Sequence, residues 1–203
     1  MLNMFSPRNF SYISILTGLL ALVLTLSSSF AAGVDEQVGI LVRNAKIYSQ
    51  QGNQLMAIKT FDQAMKLQPN NLGLYYERAS MMGKAGFYAN AIKDYTFIIN
   101  QDNLSGRTRF PHAPRFRADC YMATGQYQAA IQDYNAFLRT APGDGKVWSY
   151  MAEALSLNLR NDLALVAIQK GLATGSHWSG RLKSLQQQIM TGEKITPHKP
   201  LSN

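Results

Sequence analysis

The chain has 203 residues, of which 46% are hydrophobic, so it is long enough for a domain with a buried core. Lysine and arginine number 20 against 12 acidic residues, a formal net charge of +8 that indicates an acidic partner without identifying it. Only 16% of the residues are charged, which argues against charge-driven disorder. One cysteine excludes an internal disulfide framework and any CxxC metal or redox site.

Residues 1–31 have the plan of a secretory signal peptide. Arg8 gives a positive start, an uncharged apolar run spans 13–26, and small residues precede a cleavage point after Ala31. The run has 14 residues, whereas a spanning helix needs about 20, so cleavage is favoured and a retained anchor is the alternative. The sequence thus predicts export, to the periplasm or the medium if the source is bacterial, and a mature chain without a transmembrane segment.

An internal repeat follows the apolar segment. The similar stretches AIKTF, AIKDY and AIQDY begin at Ala57, Ala91 and Ala130, spaced 34 and then 39 residues apart. A 34-residue period with a five-residue insertion at 106–110 fits this spacing. The pattern resembles the tetratricopeptide repeat, in which small, aromatic, glycine and proline positions recur over 34 residues.

The resemblance implies an all-α fold, a right-handed α-solenoid of about four helical hairpins with a C-terminal capping helix. The fourth copy is degenerate, since Leu159 replaces the turn glycine and Ile168 the aromatic residue. The segments are a lead at 32–37, repeats at 38–71, 72–105, 111–144 and 145–178, a capping helix at 177–190 and a disordered tail at 191–203.

The repeat residues have structural roles. Paired alanines allow the two helices of each hairpin to approach closely, and aromatic residues fill the core between them. Glycines end each first helix, at a position where a left-handed residue is expected. These alanines are Ala45 with Ala57, Ala79 with Ala91 and Ala118 with Ala130; the aromatics are Tyr48, Phe61, Tyr95, Tyr121 and Tyr134; the glycines are Gly52, Gly86 and Gly125.

A terminal repeat needs a cover for its apolar face. The apolar side chains after Ser176 recur at helical spacing, and Ser176 is a reasonable N-cap for that helix. We therefore predict that the capping helix packs through Trp178, Leu182, Leu185 and Ile189.

No residue pattern indicates an enzyme, a metal site or a cofactor. His112, His177 and His198 are isolated in the sequence, and no nucleophile elbow or phosphate loop occurs. A nucleophilic role for Cys120 is the enzymatic alternative, but its place between core positions favours a buried, inert thiol. Asp94 and Asp133 recur at equivalent positions and are interpreted as a solvated face, not a catalytic pair.

The resemblance implies that the first helices line a concave groove for a protein or peptide ligand. A two-carboxylate clamp for chaperone C-termini is not supported, because Glu77 stands where that clamp has an amide. The predicted partner-binding residues are Lys46, Ser49 and Gln50 in the first repeat, Tyr76, Ser80 and Lys84 in the second, Arg115, Asp119 and Met122 in the third, and Lys146, Ser149 and Glu153 in the fourth.

The stretch 107–117 contains four arginines and no acid, and accounts for four of the seven net charges left after removal of the signal peptide. This stretch has two interpretations. In the first, it forms an anion-binding surface made by Arg107, Arg109, Arg115 and Arg117; in the second, it is a solvated loop whose arginines cap neighbouring carbonyls. Nucleic acid is disfavoured, because the basic residues form one short run.

The sequence therefore predicts an exported protein-interaction module, an adaptor or assembly factor. The alternative is an envelope-associated structural protein held to an anionic surface through residues 107–117. No oligomeric state is indicated.

Overall fold

A computed structural model describes residues 7–198, and the described residues form nine α-helices and no strand. The all-α prediction is therefore confirmed. The helices are α1 (Pro7–Gln50), α2 (Gln54–Leu67), α3 (Leu72–Lys84), α4 (Tyr88–Ser105), α5 (Ala113–Ala123), α6 (Tyr127–Thr140), α7 (Gly145–Leu157), α8 (Asn161–Ala173) and α9 (Ser179–Thr191).

The chain divides into two compact units, and the first of them, residues 1–69, contains α1 and α2. Helix α1 is 44 residues long and runs without a break through the predicted cleavage point, the lead and the first helix of the first repeat. Ala45 and Ala57 are completely buried where α1 and α2 meet. Gly52 turns the chain between these helices with φ of 78°, as predicted from its place in the repeat.

The second unit, residues 70–203, contains three hairpins and a final helix. The hairpins are α3 with α4, α5 with α6, and α7 with α8. The alanine pairs of α3–α4 and α5–α6 are fully buried, as are Tyr95 and Tyr134. Gly86 and Gly125 have φ of 87° and 73°, so the predicted turn positions are confirmed in this unit as well.

Helix α9 covers the last hairpin, as the sequence predicts. Leu182 and Leu185 are buried in one cluster with side chains of α6, α7 and α8, and Trp178 and Ile189 pack against the same cluster. The predicted N-cap is wrong, because α9 begins at Ser179 and its first turn has no side-chain cap. The Ser176 hydroxyl is instead buried without a hydrogen-bond partner in the described structure.

The apolar side chains that the structure describes within the run of α1 are exposed. The side chains of Leu19, Leu20, Leu22, Val23 and Leu24 are each 56% exposed or more. Within residues 7–198, no helix combines the length and the apolar character needed to span a membrane.

Candidate functional site

The predicted binding residues of the first unit lie at the end of α1. Lys46 and Gln50 are exposed, whereas Ser49 is half-buried. The Ser49 hydroxyl donates to the side-chain carbonyl of Gln54, and the Gln54 amide donates back to the Ser49 carbonyl. Ser49 thus stabilises the turn into α2, and Lys46 and Gln50 are the accessible predicted residues of this unit.

In α3, the predicted residues differ in exposure. Lys84 is exposed in the last turn, and Ser80 is half-buried. Tyr76 packs against Phe110 and Phe116, with ring centroids 5.1 Å and 6.1 Å away. Burial raises the pKa of Tyr76, and the nearby Glu77 carboxylate raises it further. Tyr76 therefore stays neutral and anchors the chain that enters α5.

In α5 and α7, most of the predicted binding residues are buried. Asp119, Met122, Ser149 and Glu153 are at most 2% exposed. Lys146 is half-buried, and its ammonium lies 5.4 Å from the ring centroid of Trp178 and 5.7 Å from that of Tyr150. Buried carboxylates are costly unless they are paired, so Asp119 and Glu153 require partners.

The partner of both carboxylates is His198, which comes from beyond the last helix. Its backbone N–H donates to Glu153 Oε2 at 3.1 Å, and its ring Nδ1 lies 2.8 Å from the same oxygen. Its Nε2 lies 3.3 Å from the Tyr134 hydroxyl and 3.5 Å from Asp119 Oδ1. The imidazole stacks on the Tyr150 ring with centroids 3.5 Å apart and planes 3° apart.

The hydrogen bonds around His198 favour a charged imidazolium. Tyr134 donates its hydroxyl proton to Asp119 at 2.7 Å, so its oxygen is left to accept from Nε2. Burial alone would lower the pKa of His198, but the hydrogen bonds and charges of Asp119 and Glu153 outweigh it and raise that pKa above 6.5. Both ring nitrogens can then donate.

Other residues complete this pocket. Arg181 of α9 forms an ion pair with Glu153 Oε1, whereas His198 contacts Glu153 Oε2. Burial, followed by the Asp119 charge, raises the pKa of Tyr150 to about 12, so its ring remains a neutral stacking surface. We define the Asp119–Glu153 pocket as Asp119, Tyr134, Tyr150, Glu153 and Arg181.

The sequence prediction named only part of this pocket. Asp119 and Glu153 were predicted as binding residues, whereas Tyr134 was assigned to the core and His198 to a disordered tail. Within that predicted tail, Thr191 belongs to α9 and the His198 side chain is only 6% exposed, whereas residues 199–203 lie outside the described structure. Nothing in the repeat pattern signals His198, because it follows the last repeat.

The positive charge of residues 107–117 is partly neutralised by neighbouring carboxylates. Asp102 accepts hydrogen bonds from the backbone and Nε of Arg109 and from the backbone of Phe110, at 2.9 to 3.0 Å. Arg117 forms a two-point ion pair with Asp133 at 2.7 Å. Of the predicted anion-binding residues, Arg107 is exposed, and Arg115 is half-buried with an Nε that finds no partner in the described structure.

Asp94 and Asp133 do not lie on a solvated face, contrary to expectation. They are 6% and 7% exposed, and each binds an arginine of the preceding helix. Arg78 binds Asp94 at 2.7 and 2.8 Å, and Arg117 binds Asp133 in the same manner. Both carboxylates therefore join the two helices of a hairpin.

Cys120 is completely buried, as predicted, and burial followed by the Asp119 charge raises its pKa to about 12. A thiol in this setting is a poor nucleophile. Across the described part of the chain, no group of three or more histidine, cysteine or acidic side chains is arranged to hold a metal ion.

The comparisons with known sequences point to one kind of repeat. The tetratricopeptide repeat model matches residues 39–71 and 116–144. The chain is 29% identical over 119 residues to DnaJ homolog subfamily C member 7 from Homo sapiens, which is 52% of this chain and 23% of that protein. It is 26% identical over 165 residues to serine/threonine-protein phosphatase 5 from Rattus norvegicus, which is 80% of this chain and 31% of that protein. The chain thus spans about a quarter to a third of these relatives.

Solved structures agree on the fold. A tetratricopeptide repeat protein from Parabacteroides merdae superposes with a TM-score of 0.64 at 18% identity, covering 77% of this chain and 61% of that one. The α-solenoid prediction is confirmed at the level of fold class. The chain is therefore similar to tetratricopeptide repeats at residues 39–71 and 116–144 and has the fold of tetratricopeptide repeat proteins.

Proposed function

We propose that this protein-interaction module receives an extended segment of a partner protein along the first helices of its second unit. The observation that carries the proposal is the convergence of Asp119 and Glu153 on one side chain of the non-helical segment 193–198. The two carboxylates are 34 residues apart, one repeat period, so equivalent positions of α5 and α7 act together. Short helical hairpins hold such positions rigidly, which limits the ordering cost of binding.

Arg115 is suited to testing this binding face. It is half-buried on α5, one turn before Asp119, and its Nε lacks a hydrogen-bond partner in the described residues. We propose affinity capture with the full chain from the envelope fraction of its source organism, comparing Arg115→Glu with the control Lys183→Glu on the exposed side of α9. Loss of the captured partner in Arg115→Glu alone supports the proposal, and equal capture by both variants contradicts it.

We also propose that the protein is exported through its N-terminal segment. The support is the signal-peptide pattern of residues 1–31 together with the exposure of the apolar side chains between Leu19 and Leu24. N-terminal sequencing of the protein from its source should find a chain that begins at Ala32. A chain that retains residues 1–31 and is found with the cytoplasmic proteins would contradict export.

Attachment to an anionic surface is a second candidate, favoured by Arg107 and by the unpartnered Arg115 Nε. The pairing of Arg109 and Arg117 with carboxylates removes two of its four cations. Sedimentation with anionic vesicles should decrease with added salt and with Arg107→Glu. Sedimentation that neither change affects would contradict this candidate.

A further inference from the structure

The residues of the Asp119–Glu153 pocket do not by themselves pair both of its carboxylates with a cation. The side chains of Asp119 and Glu153 are 3% and 0% exposed, and the partly exposed Arg181 pairs with Glu153. With the imidazolium of His198 in place, the two carboxylates are contacted by two cations, His198 and Arg181. Without a second cation, the Asp119 carboxylate would keep only the Tyr134 hydroxyl as a hydrogen-bond donor among residues 7–198. A buried, half-satisfied carboxylate is unfavourable, so the pocket selects a cationic occupant.

The shape of the pocket selects a planar cation. The Tyr150 ring lies parallel to the imidazole at 3.5 Å, and donors on opposite edges of the imidazole reach Glu153 and the Tyr134–Asp119 pair. A flat ring with two divergent N–H groups matches both conditions. A lysine ammonium would pair with the carboxylates, but it has no flat group that could stack on the Tyr150 ring.

The segment that carries His198 is held at a second point. After Gly192 ends α9 with φ of 72°, the Glu193 N–H donates to the Gln188 carbonyl at 3.0 Å. Ile195 is half-buried and packs against the hydrophobic cluster of α6 to α9. The segment therefore presents one apolar and one cationic side chain, three residues apart, to the same end of the second unit.

We propose that the Asp119–Glu153 pocket is a recognition site for extended peptide segments carrying an apolar residue followed three positions later by histidine, and that residues 192–198 occupy it in the isolated protein. A partner segment with this pattern must displace the chain's own tail. The proposal rests on the proposed function, because it names the ligand chemistry of the same face. The tail then acts as a competitive inhibitor whose local concentration is set by its covalent attachment.

Occupancy of the pocket depends on pH through His198. Its pKa is raised in the docked state, so docking is strongest below the pKa of the free imidazole and is lost as the pH rises through the higher, docked value. The ionisable groups that face or influence this site are Asp119 and Arg115 of α5, Tyr134 of α6, Lys146, Tyr150 and Glu153 of α7, and Arg181 of α9.

The test uses a fluorescently labelled, C-terminally amidated peptide with the sequence of residues 192–198 and the full-length chain. The peptide should bind the His198→Ala chain at least about tenfold more tightly than the wild-type chain, in which the tail competes. Binding should weaken from pH 6 to pH 8.5. A peptide with alanine in place of its histidine should not compete.

Two further variants distinguish the loss of a carboxylate in the pocket from the loss of one negative charge elsewhere on the surface. Adding Glu153→Gln to the His198→Ala chain should weaken peptide binding by about tenfold or more, whereas adding Asp162→Asn, an exposed acid of α8, should not. Circular dichroism and cooperative unfolding verify that each chain is folded. A folded His198→Ala chain that does not bind the peptide, or binds it equally at both pH values and with Glu153→Gln, overturns the proposal.

An independent readout does not depend on peptide binding. In the wild-type chain, the imidazole proton resonances of His198 should be shifted upfield by the Tyr150 ring and should titrate at a higher pH than those of the free peptide. The upfield shift should disappear in Tyr150→Leu, and the upward shift of the titration should decrease in Glu153→Gln, which removes one of the charges that cause it. If these signals match those of the free peptide, the tail is not docked and the proposal fails. Capture of a partner that depends on Arg115 would still support the proposed function in that case.

Discussion

Arg117 of α5 and Asp133 of α6 join the two helices of their hairpin through a two-point hydrogen bond, with both nitrogen–oxygen distances at 2.7 Å. The remaining Arg117 nitrogen donates to the Thr96 hydroxyl of α4 at 2.9 Å. Arg117 therefore links its own hairpin to the preceding one. Arg78 and Asp94 form the same two-point contact between α3 and α4 of the preceding hairpin.

Removal of the Asp133 carboxylate should destabilise the second unit. Asp133→Ala leaves the guanidinium of Arg117, whose side chain is only 16% exposed, without its charged partner. We expect a loss of about 2–3 kcal/mol in the free energy of unfolding, measured by urea denaturation. The control Lys93→Ala, at an exposed site on α4, should change it by less than about 0.5 kcal/mol. Equal effects of the two variants would contradict this role of the pair.

The packing of the capping helix predicts opposite results for two helical glycines. A Cβ atom at Gly171 would lie 2.8 Å from Trp148 Cβ and 2.9 Å from Leu182 Cδ1, whereas Gly180 has no atom within 4 Å of that position. Gly171→Ala should therefore cost about 1–3 kcal/mol. Gly180→Ala should be neutral or stabilise by up to about 1 kcal/mol, because alanine favours helix. Thermal and urea unfolding of both variants measure the difference, and a stabilising Gly171→Ala would show that α9 is not packed on α8.

Leu159 occupies the turn position at which the earlier repeats have glycine. Its φ is 60° and its side chain is 92% exposed, so it has the strain of a left-handed conformation without a compensating core contact. Leu159→Gly should raise the free energy of unfolding by about 0.5–1 kcal/mol, after the entropy cost of glycine is included. Leu104→Gly, at an exposed helical position of α4, should lower it by about 1 kcal/mol. Destabilisation by both changes would contradict the assigned strain.

The Cys120 thiol should be unreactive in the folded chain. Its side chain is inaccessible and its pKa is raised to about 12, so little of the reactive thiolate forms at pH 8. Labelling by a chromogenic disulfide reagent should be at least about a hundredfold slower in buffer than in denaturant. Labelling at equal rates under the two conditions would revive the nucleophilic alternative.

The repeat pattern was sufficient to predict the hairpins, because its signals are local. Alanines at helix crossings, glycines at left-handed turns and aromatic core positions recur at a fixed period, and Ala118, Gly125 and Tyr134 occupy the predicted environments. The capping helix was predictable for the same reason, since Leu182 and Leu185 recur at helical spacing. The failed cap at Ser176 concerns a helix start, which depends on a few atoms of turn geometry.

Arg78 and Asp94 recur as Arg117 and Asp133 with the same 39-residue offset, but the period does not show that the members of each pair touch, because contact depends on where the two helices place their side chains. Arg117 pairs with Asp133, 16 residues further along the chain on the other helix of the hairpin. Arg117, which the sequence predicts to bind an anion, therefore has a structural role. His198 meets Glu153 over a separation of 45 residues and converts an apparently polar groove position into a buried ion pair. Local periodicity therefore identified the helices and their packed faces, and the tertiary structure decided which charges are neutralised and which segment fills the Asp119–Glu153 pocket.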